Sequence, residues 1–231
     1  MATTIPSFAL SGTIFHVLCH TIYQYLHSLI CNSWFIFPSF LAKEIIIGKK
    51  VGLGGFSKVC SVDGIELNEL FDISEVASDA RSNFAASTTE KQYVIKKIRS
   101  DLPEEECVKG IVDLAIEASF LSTLCHSNII SLRALSNSDP HEAKFFVVLD
   151  RLITTLERTF NRWRKEVGEN SGYWFGPFGY CCAKEPCLYQ TWYERLKASR
   201  DIANAIYYLH SNNIVYRGKN RLNGIVYTRY C

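Results

Sequence analysis

The sequence predicts an α+β fold, and three stretches carry that expectation. "EIIIGKKVGLGGFSKVCSV" (44–62) reads as a strand, a glycine turn and a second strand, with β-branched residues on both sides of the turn. "QYVIKKIRS" (92–100) is a third strand-like run. "GIVDLAIEASFLSTLCHSNIISL" (110–132) then sets Ile111, Leu114, Ala118, Leu121 and Leu124 at helical spacing, with Glu117 on the flank of the stripe.

Composition narrows the function classes. A chain of 231 residues with 48% hydrophobic and 21% charged residues is globular rather than disordered or collagen-like. A formal net charge of +2 gives no electrostatic reason to expect nucleic acid, whose binders carry a marked basic excess or stripe. The nine cysteines are an odd number without a regular framework, which points to reduced thiols in an intracellular, cytoplasmic protein. The cluster Cys181, Cys182, Cys187 lacks the paired C-x2-C halves of a structural zinc site, so no metal is expected there.

Residues 1–42 contain no Asp, Glu, Lys or Arg and read as a helical N-terminal extension. Without an early basic residue the segment does not fit a signal peptide. His16, His20, Gln24 and His27 recur every three or four residues and draw a polar stripe along the apolar stretch 13–30. A membrane span would have to satisfy those groups in hydrocarbon, so an amphipathic helix packed on protein is preferred over membrane association. His16 and His20 stand at a metal-ligand spacing, but a solvated polar face accounts for them.

The glycine stretch Val51–Val59 has two readings. Gly52, Gly54 and Gly55 let backbone N–H groups approach an anion without an intervening side chain; they equally suit a plain hairpin turn. The next two elements of the chain favour the first. Lys96 shares a face with Val94 on the third strand as the one charged group beneath the glycine turn, and Glu117 on the helix is placed to hold it by an ion pair. An exposed pair of this kind adds little stability and would act by orienting the lysine toward phosphate oxygens.

These motifs resemble the small lobe of the eukaryotic protein kinases. The family's G-x-G-x-x-G-x-V loop is similar to Gly52-Leu53-Gly54-Gly55-Phe56-Ser57-Lys58-Val59, with Ser57 in place of the third glycine. Its V-A-I-K strand is similar to Tyr93-Val94-Ile95-Lys96, and its helix glutamate and L-x-x-L-x-H-x-N-I-I run to Glu117, Leu121, Leu124, His126, Asn128, Ile129 and Ile130. "KFFVVLDRL" (144–152) resembles the strand and hinge of an adenine pocket, with Leu149 at its back and Asp150 to Leu152 offering backbone groups to the base. "YERLKASRDIANAIYYLHSNNIVYR" (193–217) resembles a long large-lobe helix and the strand that leads to a catalytic loop.

The resemblance implies an antiparallel sheet plus one helix over 43–150, with an insert at 61–90, then a hinge and the first helices of an incomplete large lobe over 151–217, with an insert at 168–187, and a divergent tail at 218–231. Both inserts are expected to be solvated loops. It also implies ATP as cofactor, with magnesium in intact relatives, held by Gly52, Leu53, Gly54, Gly55, Phe56, Ser57, Val59, Lys96, Glu117, Leu149, Asp150 and Leu152.

The family pattern fails at its catalytic loop. Where H-R-D-L-x-x-x-N is expected the chain reads Tyr216-Arg217-Gly218-Lys219-Asn220-Arg221-Leu222-Asn223, so Gly218 replaces the aspartate that orients and deprotonates the acceptor hydroxyl. No D-F-G follows before Cys231. The expectation is therefore an ATP-binding, kinase-like chain without phosphotransferase competence, whose intact relatives phosphorylate Ser or Thr; the alternative is a pseudokinase-type interaction module. Leu196, Ile202, Ala203, Ile206 and Leu209 form a helical stripe expected to stand uncovered and to attract a protein partner.

Overall fold

A computed structural model of the chain describes residues 37–68, 75–88, 92–170 and 185–214. The 13–30 stretch with its histidines, the Cys181–Cys182 pair and the 216–223 segment containing Gly218 lie outside the described residues. By contact the chain divides into two units, Met1–Thr123 with Leu132–Val148, and Leu124–Ser131 with Leu149–Cys231.

In the first unit the glycine stretch joins two strands, β2 (Ile45–Leu53) and β3 (Ser57–Ile65), in an antiparallel hairpin. β3 pairs antiparallel with β4 (Tyr93–Ile98), and β5 (Leu132–Ser136) and β6 (Phe146–Asp150, of which Phe146–Val148 belong to this unit) extend the sheet. The strand order is β1-β5-β6-β4-β3-β2, where β1 is the two-residue strand Ser39–Phe40. The α+β class is thus observed, with a correction: the sheet is mixed, because β1 runs parallel to β5. Two residues in a charge-free run give no period-2 signal, so this strand could not be read from the sequence.

Side chains alternate across the sheet. Ile45, Cys60, Val62, Ile95, Phe146 and Val148 point to one face, where they form a core with Phe40 and Ala134. On β4, Val94, Lys96 and Ile98 fall on the opposite side from Ile95, and the helix α2 (Glu104–Thr123) packs against β4 and β5 with Leu114, Ala115, Ala118 and Leu121 buried. Pro103 precedes the helix, and Glu104, Glu105 and Glu106 occupy its first turn, where carboxylates favour the positive end of the helix dipole.

The insert at 61–90 is the second correction. β3 runs through Ile65, and a helix, α1 (Glu75–Ser87), fills most of the remainder. Phe84 from α1 packs against the core face, 5.7 Å from the Phe40 ring and 5.0 Å from the Tyr93 ring. Arg81 is buried and lies 5.2 Å over the Phe40 ring. Its Nη2 donates to Glu44 Oε1 at 2.5 Å. Glu44, in the short 3-10 turn Ala42–Glu44, is 1% exposed, and its carboxylate also accepts from the N–H of Leu41 (2.7 Å) and of Asn68 (2.8 Å). Helix, turn and the end of β3 are thereby tied to one buried carboxylate. The helix stops at Ser87 and Thr88, whose hydroxyls donate to the Phe84 carbonyl at 2.9 and 2.7 Å.

β2 is an edge strand. Its pairing with β3 breaks register between Ile46 and Ile47, between Ile47 and Lys50, and between Lys50 and Gly52, and Ile46, Ile47, Val51 and Leu53 are exposed on it.

The second unit contains two long helices, α3 (Leu156–Asn170) and α4 (Glu185–Ser211). Thr155 caps α3, its hydroxyl accepting from the Arg158 N–H at 3.3 Å. Trp163 is buried, donates through Nε1 to Glu194 Oε2 at 2.8 Å, and is flanked by the Arg195 guanidinium at 5.7 Å. His126 stacks on Tyr208 with centroids 4.8 Å apart, and the Tyr208 hydroxyl accepts from the Cys125 N–H at 3.1 Å, which fastens 124–131 to α4. α4 ends in a Schellman turn: Asn213 adopts φ 59°, and the N–H groups of Asn213 and Ile214 donate to the carbonyls of His210 and Leu209.

The expected uncovered stripe on α4 is found in part: Leu196 and Ala203 are exposed and Ile202 and Ile206 half-buried, and the correction is at Leu209. Ala198, Asp201, Ala205 and Leu209 are buried, so Leu209 is covered, whereas Leu196 is 66% exposed. The most buried face of α4 thus carries small residues and an aspartate along with Leu209. What stands open is Trp192, Tyr193, Leu196 and Tyr207.

Candidate functional site

The first unit carries a cavity of about 210 Å³ beneath the β2–β3 turn. Gly55, Phe56 and Ser57 form its roof, Lys96 enters from β4, and Gly110, Asp113, Leu114 and Glu117 close it from α2. Antiparallel pairing sets Val59 directly opposite Lys96, and Gly52 opposite Val59, so the roof and the lysine are in fixed register.

The Lys96 ammonium donates to Glu117 Oε2, an ion pair between strand and helix. Both side chains are about one-quarter exposed, at 23% and 28%, so the pair orients the ammonium more than it stabilises the fold. With Asp113 one helical turn before Glu117, the lining holds two carboxylates against one ammonium. An anion entering here therefore needs backbone donors in addition to Lys96.

The turn is held from two sides. The Gly54 N–H donates to the Ser57 carbonyl at 2.7 Å, and the Arg99 N–H donates to the Phe56 carbonyl at 3.0 Å. Below, Phe56 rests on Gly110: a Cβ added at Gly110 would come 2.7 Å from Phe56 Cβ, so the tip can sit this close only over a glycine. At Gly55 an added Cβ would meet nothing within 4 Å, so the glycine leaves open space at the roof. The cavity is smaller than the roughly 300–1,000 Å³ of pockets that enclose a whole small molecule.

Arg99 Nη1 donates to the carbonyls of Gly55 (3.0 Å) and Gly54 (3.4 Å), while Nε and Nη2 donate to Asp101 at 3.0 and 2.6 Å. The side-chain hydrogen bond from Arg99, followed by a hydrogen bond to its own backbone, holds the Asp101 carboxyl at about 2, below an ordinary 3.8. The bond to Asp101 in turn raises Arg99. Because the folded value is the depressed one, the link is at full strength above the ordinary carboxyl value and fades as pH falls through about 2. An NMR titration of Asp101 is expected to show a midpoint near pH 2, and in Arg99→Ala a higher one that stays below the free-carboxyl value, because the hydrogen bond from its own backbone remains.

Among the residues expected at the site, the structure places Gly52 and Leu53 at the end of β2, Gly54 and Gly55 in the turn, Phe56 and Ser57 in the roof, and Val59, Lys96 and Glu117 around them. Leu149, Asp150 and Leu152 belong to the second unit, where Leu149 is buried and the Asp150 N–H donates to the Ser131 carbonyl at 3.3 Å. Sequence reasoning missed Arg99, Asp113 and Gly110. A charged residue just past a strand reads as solvated, and only the spacing Asp113-x3-Glu117 offered a signal for the second carboxylate. Among the described residues no group of His, Cys, Asp and Glu is arranged to hold a metal ion, and no helix is long and apolar enough to cross a membrane. Cys60, Cys107 and Cys125 are free thiols. Compared with family models and with curated proteins, the chain matches none.

Proposed function

We propose that the chain binds the phosphate end of ATP in the cavity beneath the glycine turn, as a protein-kinase-like protein that does not transfer the phosphoryl group. The observation that carries this reading is the Lys96–Glu117 pair inside a cavity roofed by Gly55, Phe56 and Ser57. A glycine turn, a lysine opposite it and a helix glutamate that aims the lysine are the parts a phosphate cradle needs, and the strand register holds them in one unit. The resemblance of 52–59, 93–96 and 117–130 to the kinase small lobe supports the same ligand. Gly218, standing where that resemblance puts the catalytic aspartate, argues against transfer, since glycine offers no side chain to orient or deprotonate a hydroxyl.

The test is ATP binding by calorimetry and thermal shift on the full chain. Lys96→Met removes charge-assisted hydrogen bonds of about 1.5–3 kcal/mol, so ATP affinity is expected to fall roughly 10- to 100-fold. The substitution also leaves Glu117 as an unpaired negative charge facing the phosphates. Binding unaffected by Lys96→Met, or phosphate transfer to any acceptor by the purified chain, contradicts the proposal.

A second reading, a non-catalytic module that binds a protein partner, is favoured by one observation: Trp192, Tyr193, Leu196 and Tyr207 are exposed along α4. Aromatic residues of this kind are enriched where proteins meet. The two readings are compatible, and loss of binding in Lys96→Met bears on the first alone.

A further inference from the structure

The carbonyl oxygens of Gly54, Gly55 and Phe56 all turn toward one residue. Two are taken by the Arg99 guanidinium and the third by the Arg99 backbone N–H. In a trans peptide the carbonyl and the following N–H point to opposite sides of the chain, and the described residues contain no cis peptide. The N–H groups of Gly55, Phe56 and Ser57 are therefore directed away from Arg99. Those of Gly55 and Phe56 have no acceptor among the described residues. Successive backbone N–H groups facing one way form an anion-binding concavity.

We propose that Arg99 is a positioning residue for polyphosphate binding, holding the glycine turn with its carbonyls to the rear so that consecutive amides face the ligand. The proposal rests on the phosphate-binding reading above. Arg99 suits the task because its planar fork serves two partners at once. Nε and Nη2 are engaged in parallel by Asp101, which fixes the plane of the guanidinium, and Nη1 is thereby presented to the turn. A lysine has neither the plane nor the second face. Among the described residues, the side-chain hydrogen bonds that Asp101 accepts come from Arg99, so it acts on the turn through that residue. The arrangement also answers the charge problem of the cavity: where Asp113 and Glu117 outnumber Lys96, oriented amides add positive potential without a further charged side chain.

The experiment compares ATP, inorganic pyrophosphate and adenosine by calorimetry on the full chain, with amide NMR shifts of Gly55 and Phe56 followed on addition of pyrophosphate. Arg99→Ala is expected to weaken ATP and pyrophosphate about tenfold while adenosine changes less than twofold, and to abolish the pyrophosphate-induced shifts of both amides. Arg99→Lys is expected to behave like Arg99→Ala, and Asp101→Asn, which keeps the guanidinium but frees its plane, to weaken pyrophosphate about threefold; this variant also serves if Arg99→Ala does not fold. Full rescue by lysine would mean that charge alone matters and overturns the proposal. An equal loss for all three ligands would reveal a purely structural role and overturns it as well. Wild-type protein that binds neither ATP nor pyrophosphate overturns the phosphate-binding reading together with this one. Binding that is weakened by Lys96→Met but indifferent to Arg99→Ala overturns this one only.

Discussion

Glu44→Ala is expected to lower the stability of the first unit by about 3–5 kcal/mol, the cost of leaving one member of a buried ion pair without its partner. The size reflects the groups that the carboxylate satisfies: the Arg81 guanidinium and the backbone N–H groups of Leu41 and Asn68, all converging on a side chain that is almost wholly enclosed. Removing it strips three donors at once and loosens α1, the 3-10 turn and the end of β3. Replacing both partners with apolar residues, Glu44→Leu with Arg81→Met, separates the ion pair from the backbone role. Recovery of most of the loss would assign the effect to the Arg81–Glu44 ion pair. The expectation is partial recovery, since the half-buried amides of Leu41 and Asn68 still lose the Glu44 carboxylate, each loss costing up to about 1–3 kcal/mol. Urea unfolding followed by circular dichroism measures both variants.

In the second unit the corresponding substitution is Trp163→Ala, expected to cost about 3–5 kcal/mol through the volume it empties. Trp163 is 1% exposed and joins α3 to α4 both by packing and through its indole N–H. Trp163→Phe divides the two contributions. It removes the donation to Glu194, which keeps Arg162 at 2.7 Å, and the volume of one of the two fused rings, so a loss of about 1–2 kcal/mol is expected, smaller than that of the alanine variant. A phenylalanine variant as unstable as the alanine one would show that the hydrogen bond, not the volume, ties the helices together. The readout is again the denaturation midpoint.

The parts of the fold legible in the sequence were those whose pattern is local. The hairpin, β4 and α2 follow from period-2 and period-3.6 spacing, and the Lys96–Glu117 pairing follows once β4 and α2 are adjacent. What escaped reading depends on contacts between distant positions. Nothing in "EVASDARSNFAAS" marks a packed helix, because its anchors are one arginine and one phenylalanine three residues apart rather than an apolar stripe. Glu44 looks like an ordinary charge before a strand until Arg81, 37 positions later, is seen to meet it. Arg99 was invisible as a site residue for the same reason: its partners are backbone carbonyls 44 and 45 positions away, and backbone groups leave no trace in composition. On α4 Leu209 misled, since it is buried together with Ala198, Asp201 and Ala205.

The irregular pairing of β2 bears on how the protein behaves at high concentration. A long outer strand with four exposed aliphatic side chains is ordinarily a template on which a second copy can add, one backbone bond after another. Here the pairing with β3 breaks register three times within nine residues, irregularities of a kind that bend and twist a strand, and Lys49 and Lys50 put two like charges in its middle. Bulges and charges of this kind blunt an edge strand, so addition of a second copy along β2 is disfavoured and fibrous self-association with it.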